Sequence, residues 1–415
     1  MKKLISTYLS VKVHITLTLS FLILAFTSCS TDDPVPGWPP SSSLTEQTLI
    51  MYMPWSTNLF SAFEQNLSDM KKAINERGLQ KERVMVFLST SPTQATLYEI
   101  TDRHPSLGNE VYEMVSIKKY ESPDLITAQG MSSVFQDIKR YAPAQRYAMT
   151  IGCHGMGWLP VGSDPTRTRT TVRILPHSLP EVQTRWFGGT TANHQAETTE
   201  LANALRQAGL HMEFILFDDC YMANLDVAYD LKDVTDFLIA STSEIMLAGM
   251  PYARMGKHLL GTPNYKAICD EFHSFYSSYT IQQKLYPYGT ISVTQTTELD
   301  RLATLLKTAH AQYSFSPTHT QDLQTLDGYT PSIFFDFGDY INKLCPDGEL
   351  KNQILAQLHR TVIEHRHTAS FFTAERGGIS IPIQTFSGIT TSAPSTHTLA
   401  IEAKKETAWY KASHP

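Results

Sequence analysis

Ile215-Leu216-Phe217-Asp218-Asp219-Cys220-Tyr221-Met222-Ala223 is an apolar run that stops abruptly at two carboxylates and a thiol. A short continuous apolar run of this kind reads as a buried strand, here one that delivers Cys220 to the turn at its carboxyl end. Its partner lies upstream in Tyr147-Ala148-Met149-Thr150-Ile151-Gly152-Cys153-His154-Gly155-Met156-Gly157, a second apolar strand that releases His154 into a glycine-rich turn. A thiol is nucleophilic only as thiolate, and an imidazole titrating near neutrality can take its proton and return it later. No single helix or turn joins positions 154 and 220, so neighbouring parallel strands would have to bring them together. Taken alone, Cys220 reads better as a small buried hydrophobe and His154 as a satisfied turn histidine.

The rest of the chain sets bounds on this reading. Its 415 residues are 42% hydrophobic and 18% charged, enough for a sizeable core. The formal net charge of -6 supplies no general attraction for nucleic acid, so none is expected as a partner. The five cysteines, Cys29, Cys153, Cys220, Cys269 and Cys345, are odd in number and widely scattered, which is not a disulfide framework. Nor do they and the histidines have the spacing of a metal site. Cys153 competes with Cys220 as a thiol. Successive strand side chains point to opposite faces, so Cys153 and His154 are not expected to point into one cleft together.

In chain order, Thr48-Leu49-Ile50-Met51-Tyr52-Met53 is a β-run stopped by Pro54, with Asn58 a plausible N-cap for a helix over about 58–77. Strands at 84–88 and 95–100 and a helix over 125–140 lead to the His154 strand. Helix 197–208 feeds the Cys220 strand, and helix 224–234 precedes a strand over 236–240. This alternation implies an α/β fold with a mostly parallel sheet and helices on both faces. Beyond Gly249-Met250-Pro251-Tyr252 the pattern is helical over 263–280, 298–312 and 348–364, with short β-runs at 290–294 and 378–383. The expected organisation is a signal peptide over 1–28, a linker over 29–45, a catalytic core over 46–260 and a helical or α+β C-terminal extension over 261–415 packed on that core.

Strand-His-Gly followed by strand-Asp-x-Cys resembles the clostripain family of cysteine peptidases, which have a caspase-like fold. The segment from Met51-Tyr52-Met53 to Asn58-Leu59, Phe334-Phe335-Asp336-Phe337-Gly338-Asp339-Tyr340 and Gly377-Gly378-Ile379-Ser380-Ile381 also resemble it. The resemblance implies an endopeptidase with a His154/Cys220 dyad acting on peptide or protein substrates. Backbone N–H groups of Gly155 and Cys220 would form the oxyanion hole, where a glycine allows close approach. Asp218, two residues before Cys220 and so on the same strand face, would lie in the pocket for the residue before the scissile bond, favouring arginine over lysine. Its alternative is an aspartate satisfying turn amides, and Asp219 reads as structural. Pro251 stands where family members commonly carry an acid, which weakens the expected basic preference. Calcium enters only because some relatives need it. A catalytically idle lipoprotein that binds peptide or glycan is the rival reading.

Two further expectations concern maturation. Lys2 and Lys3, the apolar run Ile15 to Phe26 and Phe26-Thr27-Ser28-Cys29 read as a signal peptide ending in a lipobox. Cys29 would then carry lipid and tether an exported outer-membrane or cell-surface monomer, a periplasmic or secreted protein being the alternative. The acidic residues after Cys29 resemble surface-export signals of Bacteroidetes lipoproteins. Finally, the loop over 159–191 holds Arg167, Arg169, Arg173 and Arg185 among prolines, without periodicity, and offers sites for self-cleavage or is a passive insertion.

Overall fold

The structure is a computed structural model that describes residues 44–56, 58–102, 112–163 and 187–415. Nine strands form one sheet: β1 (Thr45–Met53), β2 (Glu82–Ser91), β3 (Gln94–Asp102), β4 (Tyr112–Glu121), β5 (Ala144–Gly152), β6 (Met212–Asp218), β7 (Thr235–Ala240), β8 (Thr290–Gln295) and β9 (Val362–His367). Their order is β9-β8-β7-β6-β5-β1-β2-β3-β4. The five central strands, β7 to β2, run parallel, and two antiparallel strands extend each edge. Composition follows position. The inner halves of β1, β5 and β6 are apolar without alternation because both faces are covered, and Leu49, Ile50, Met51, Met149, Ile215, Leu216 and Phe217 are wholly buried.

Crossover handedness decides which face each helix takes. From β1 through α1 (Phe60–Arg77) the chain moves toward β2, whereas β5 to β6 through α3 (Thr198–Ala208) and β6 to β7 through α4 (Leu225–Leu231) move the other way. Right-handed crossovers in opposite directions put α1 on one face and α3 and α4 on the other. The helix α2 (Ala128–Tyr141) packs beside α3, which packs beside α4. The reversal of direction falls between β1 and β5. Crevices at such a point, outside the carboxyl ends of the strands, are where open α/β sheets bind ligands.

Several expectations need correction. Two strands lie where the sequence pattern offers none: β4 falls in chain without a pattern, and β9 begins inside the helix expected over 348–364, which stops at Thr361. Their sequences, YEMVSIKKYE and VIEHRH, carry too little apolar signal, and only pairing along a sheet edge makes them strands. Because β8 and β9 belong to the central sheet, the stretch 261–415 is continuous with the core, not merely packed on it. Asn58 does not cap α1. The cap position is Leu59, with no side-chain bond to the helix.

Candidate active site

The turns that follow β1, β5 and β6 meet at one edge of the sheet. β5 and β6 are paired to their last residues, Gly152 opposite Asp218, so the residues just beyond, Cys153-His154 and Asp219-Cys220, leave the sheet side by side. His154, Asp218, Cys220 and Gly249 line one cleft together with Leu59, Phe63 and Asn66 of the α1 end and Ile245 to Leu247 of the turn after β7.

His154 is buried, and its backbone is held by a small ladder in which it pairs with Gly188 and Gly155 pairs with Phe187. Its Nε2 lies 2.8 Å from Asn58 Oδ1. Burial lowers its pKa to about 4, so the ring is neutral near pH 7. Gly155 sits hard against the thiol-bearing turn: a Cβ there would lie 2.8 Å from the Cys220 carbonyl oxygen and 2.7 Å from Asp219 Cβ. Any side chain would push the two turns apart.

Cys220 occupies a tight corner. The strand ends at Asp218, and Tyr221 takes φ 62°, uncommon for a non-glycine residue and tolerated only where surroundings enforce it. Here the Tyr221 hydroxyl donates to Glu244 Oε1 at 2.7 Å and its ring stacks on Phe334, with centroids 5.0 Å apart. Glu244 also accepts from Thr373 and the Ala374 N–H, tying the C-terminal segment to the corner. The Ile245 N–H donates to Cys220 Sγ at 3.2 Å. Burial, with the Glu244 charge adding to it, pushes the Cys220 thiol well above its usual range. The resting pair is therefore neutral thiol and neutral imidazole.

The two carboxylates before the thiol take different partners. Asp218 faces the cleft and accepts from the Met250 N–H at 2.7 Å and from Asn66 Nδ2 at 2.9 Å, with the Tyr252 hydroxyl also bonded. Burial raises it to about 7 against those donors. Asp219 and Cys153 also line the cleft, against the expectation from strand alternation, and the Asp219 carboxylate is engaged with Cys153, accepting from its N–H at 2.7 Å and its thiol at 3.3 Å. The Gly188 N–H meets Cys153 Sγ at 3.1 Å, so this thiol is engaged in holding the histidine turn.

Of the residues singled out from sequence, His154, Gly155, Asp218 and Cys220 come together. Pro251 adjoins them through Met250, and Cys29, Arg167, Arg169, Arg173 and Arg185 lie outside the described residues. Asn58, Asn66, Glu244 and Ile245 are at the site unanticipated. Asn66 stands inside an amphipathic helix pattern, and only its buried position beside Asp218 distinguishes it from a surface asparagine. Among the described residues, no three or more His, Cys, Asp or Glu side chains are grouped so that they could hold a metal ion.

Comparison with known proteins agrees with this geometry. The model of the clostripain family matches residues 51–330. The chain is 48% identical to the secreted C11 cysteine protease "iotapain" of Bacteroides thetaiotaomicron over 90% of this chain and 100% of that one, with a TM-score of 0.80. It is 54% identical to a clostripain from the same species, solved with the peptide inhibitor BTN-VLTK-AOMK, over 55% of this chain and 99% of that one, at TM-score 0.53. An inactive zymogen C11 protease from Parabacteroides distasonis, 24% identical over 90% of this chain and 99% of that one, shares the fold at TM-score 0.72. No curated protein sequence gives a significant match. With a mostly parallel sheet, a histidine turn and a thiol turn at one sheet edge, and relatives of this kind along nearly its whole length, the chain belongs to the clostripain family of cysteine peptidases.

Proposed function

We propose that this protein is an endopeptidase that cleaves after basic residues, arginine before lysine, with His154 as general base and Cys220 as nucleophile. The reading rests on the single cleft lined by His154, Cys220 and Asp218. Neutral His154 takes the Cys220 proton as sulfur attacks the scissile carbonyl, so the thiolate forms only as it reacts. Backbone N–H groups of Gly155 and Cys220 receive the oxyanion. The proton held by His154 passes to the leaving amine, and water then hydrolyses the thioester. No metal enters these steps. A basic class at the substrate residue before the scissile bond is supported by the buried Asp218, and by a relative crystallised with a peptide inhibitor whose peptide part ends in lysine. Incubation with a peptidyl acyloxymethyl ketone ending in lysine should form a thioether as the carboxylate leaves, adding the mass of the inhibitor less its carboxylic acid, mapped to Cys220 and missing in Cys220→Ala. An unlabelled wild type would favour the rival, an idle lipoprotein binding peptide or glycan.

Maturation follows the same reading. We infer export, lipidation of Cys29 at the membrane, and self-cleavage after one of Arg167, Arg169, Arg173 or Arg185, giving a monomer of two associated chains. A relative described as secreted supports export. Mass spectrometry of protein from the native host checks both processing steps. The expected mature N-terminus is a diacylated Cys29, and wild type should show a break after one of those arginines that Cys220→Ala lacks. An N-terminus upstream of Cys29 refutes the anchor, and an uncut yet fully active wild type refutes activation by cleavage.

A further inference from the structure

We infer that Asn58 is a positioning residue that fixes the tautomer and orientation of the His154 ring, an assignment that rests on the dyad reading above. The contact is specific. Asn58 Oδ1 lies 2.8 Å from His154 Nε2, and an amide oxygen only accepts, so this contact favours the tautomer with its hydrogen on Nε2 and its lone pair on Nδ1. The nitrogen available to take the Cys220 proton is thereby selected before substrate arrives.

The placement of Asn58 supports this assignment. β6, β5 and β1 are consecutive in the sheet, and their carboxyl-end turns carry Cys220, His154 and Asn58 in that order, as a nucleophile, its base and the partner of that base. Asn58 also forgoes the task its local sequence suits. An asparagine just before an amphipathic helix usually caps it, worth about 1 kcal/mol, yet α1 begins at Leu59 without a side-chain cap. Local preference overridden at a site of this kind is expected where function decides the geometry.

The proton inventory is simple. The Cys220 Sγ proton moves to His154 Nδ1 as the sulfur–carbon bond forms, the other hydrogen stays on Nε2, donated to Asn58 Oδ1 throughout, and the Nδ1 proton leaves with the amine. An amide oxygen supports the imidazolium with a dipole instead of a full charge. Burial can therefore keep the free ring at about 4, where a carboxylate partner would raise it.

Kinetics of Asn58→Ala and Asn58→Asp on a peptide with a neutral residue before the scissile bond, which the titration of Asp218 leaves aside, with pH profiles from 3 to 9, test this. Asn58→Ala should lower kcat about 10- to 100-fold, the scale seen when a metal-bound histidine loses its orienting partner, with KM nearly unchanged. Its unfolding midpoint should stay near wild type because Asn58 is exposed. Asn58→Asp should regain most of kcat at high pH while its acid limb in kcat/KM moves to higher pH by one unit or more, since a carboxylate stabilises the charged ring. Wild-type kinetics in Asn58→Ala, or an unmoved acid limb in Asn58→Asp, overturns the assignment. A wild type inert toward every peptide, or an active Cys220→Ala, defeats the dyad reading itself and the assignment with it, whereas an active wild type with indifferent Asn58 variants defeats the assignment alone.

Discussion

Replacing Cys220 by alanine lowers kcat/KM for peptide substrates by on the order of 10⁵-fold or more, the scale on which an enzyme loses activity when its covalent nucleophile is removed. Replacing His154 by alanine costs nearly as much. The resting thiol is held protonated by burial, so without a base in contact almost no thiolate exists to attack. Because the two residues act as one unit, the double variant is no worse than either single one. Purified variants assayed with a fluorogenic peptide check this. Cys153→Ala is the informative control. It deletes the other thiol near the histidine and removes one of the Asp219 donors, costing about 1 to 3 kcal/mol of stability, but it leaves the nucleophile in place. Cleavage abolished in Cys153→Ala and retained in Cys220→Ala would reverse the assignment of the two thiols.

The second large effect is on specificity. Asp218→Asn keeps the shape of the cleft floor and the acceptor for the Met250 N–H, while Asn66 can turn its amide to face the new one. Only the charge is lost. Breaking one partner of a buried charge pair costs about 2 to 5 kcal/mol, so kcat/KM on arginine substrates falls roughly 30-fold or more, with substrates carrying a neutral residue there changed much less. The preference also depends on pH, and its sign follows from burial. A carboxyl raised to about 7 is protonated below that pH and cannot pair with a cation. The ratio of kcat/KM on arginine over neutral substrates should therefore climb between pH 6 and 8 in the wild type and stay flat in Asp218→Asn. A single carboxylate should favour arginine over lysine, because arginine's planar fork can also bond carbonyls. Equal losses on both substrate types would mean that Asp218 only supports the turn through Met250, Asn66 and Tyr252.

Glu244 connects these two expectations to the distant end of the chain. Its carboxylate gathers the Tyr221 hydroxyl, the Thr373 hydroxyl and the Ala374 N–H. The corner that presents Cys220 thus depends on residues more than 100 positions away, which explains why no local pattern around Ser241-Thr242-Ser243-Glu244 announced a role for it.

What the sequence determined by itself is what a few neighbouring residues encode. An apolar run long enough for a doubly covered strand identified β1, β5 and β6, and their abrupt polar ends located His154, Asp218 and Cys220. Amphipathic periodicity marked α1 and α3 to within two residues and the start of α4 to within one. Only the tertiary structure decided the rest. β4 and β9 are strands because a neighbouring edge offers them backbone partners, a free energy that no window of their own sequence contains. Asn58 faces His154 instead of capping α1 because β1 and β5 are paired, which brings together residues nearly one hundred positions apart. Tyr221 keeps its left-handed backbone because Glu244 and Phe334 enclose it from remote parts of the chain. Propensity and burial pattern are local sums and can be read along a chain, whereas the partner of a buried polar group is settled by whichever distant residue the completed sheet sets against it.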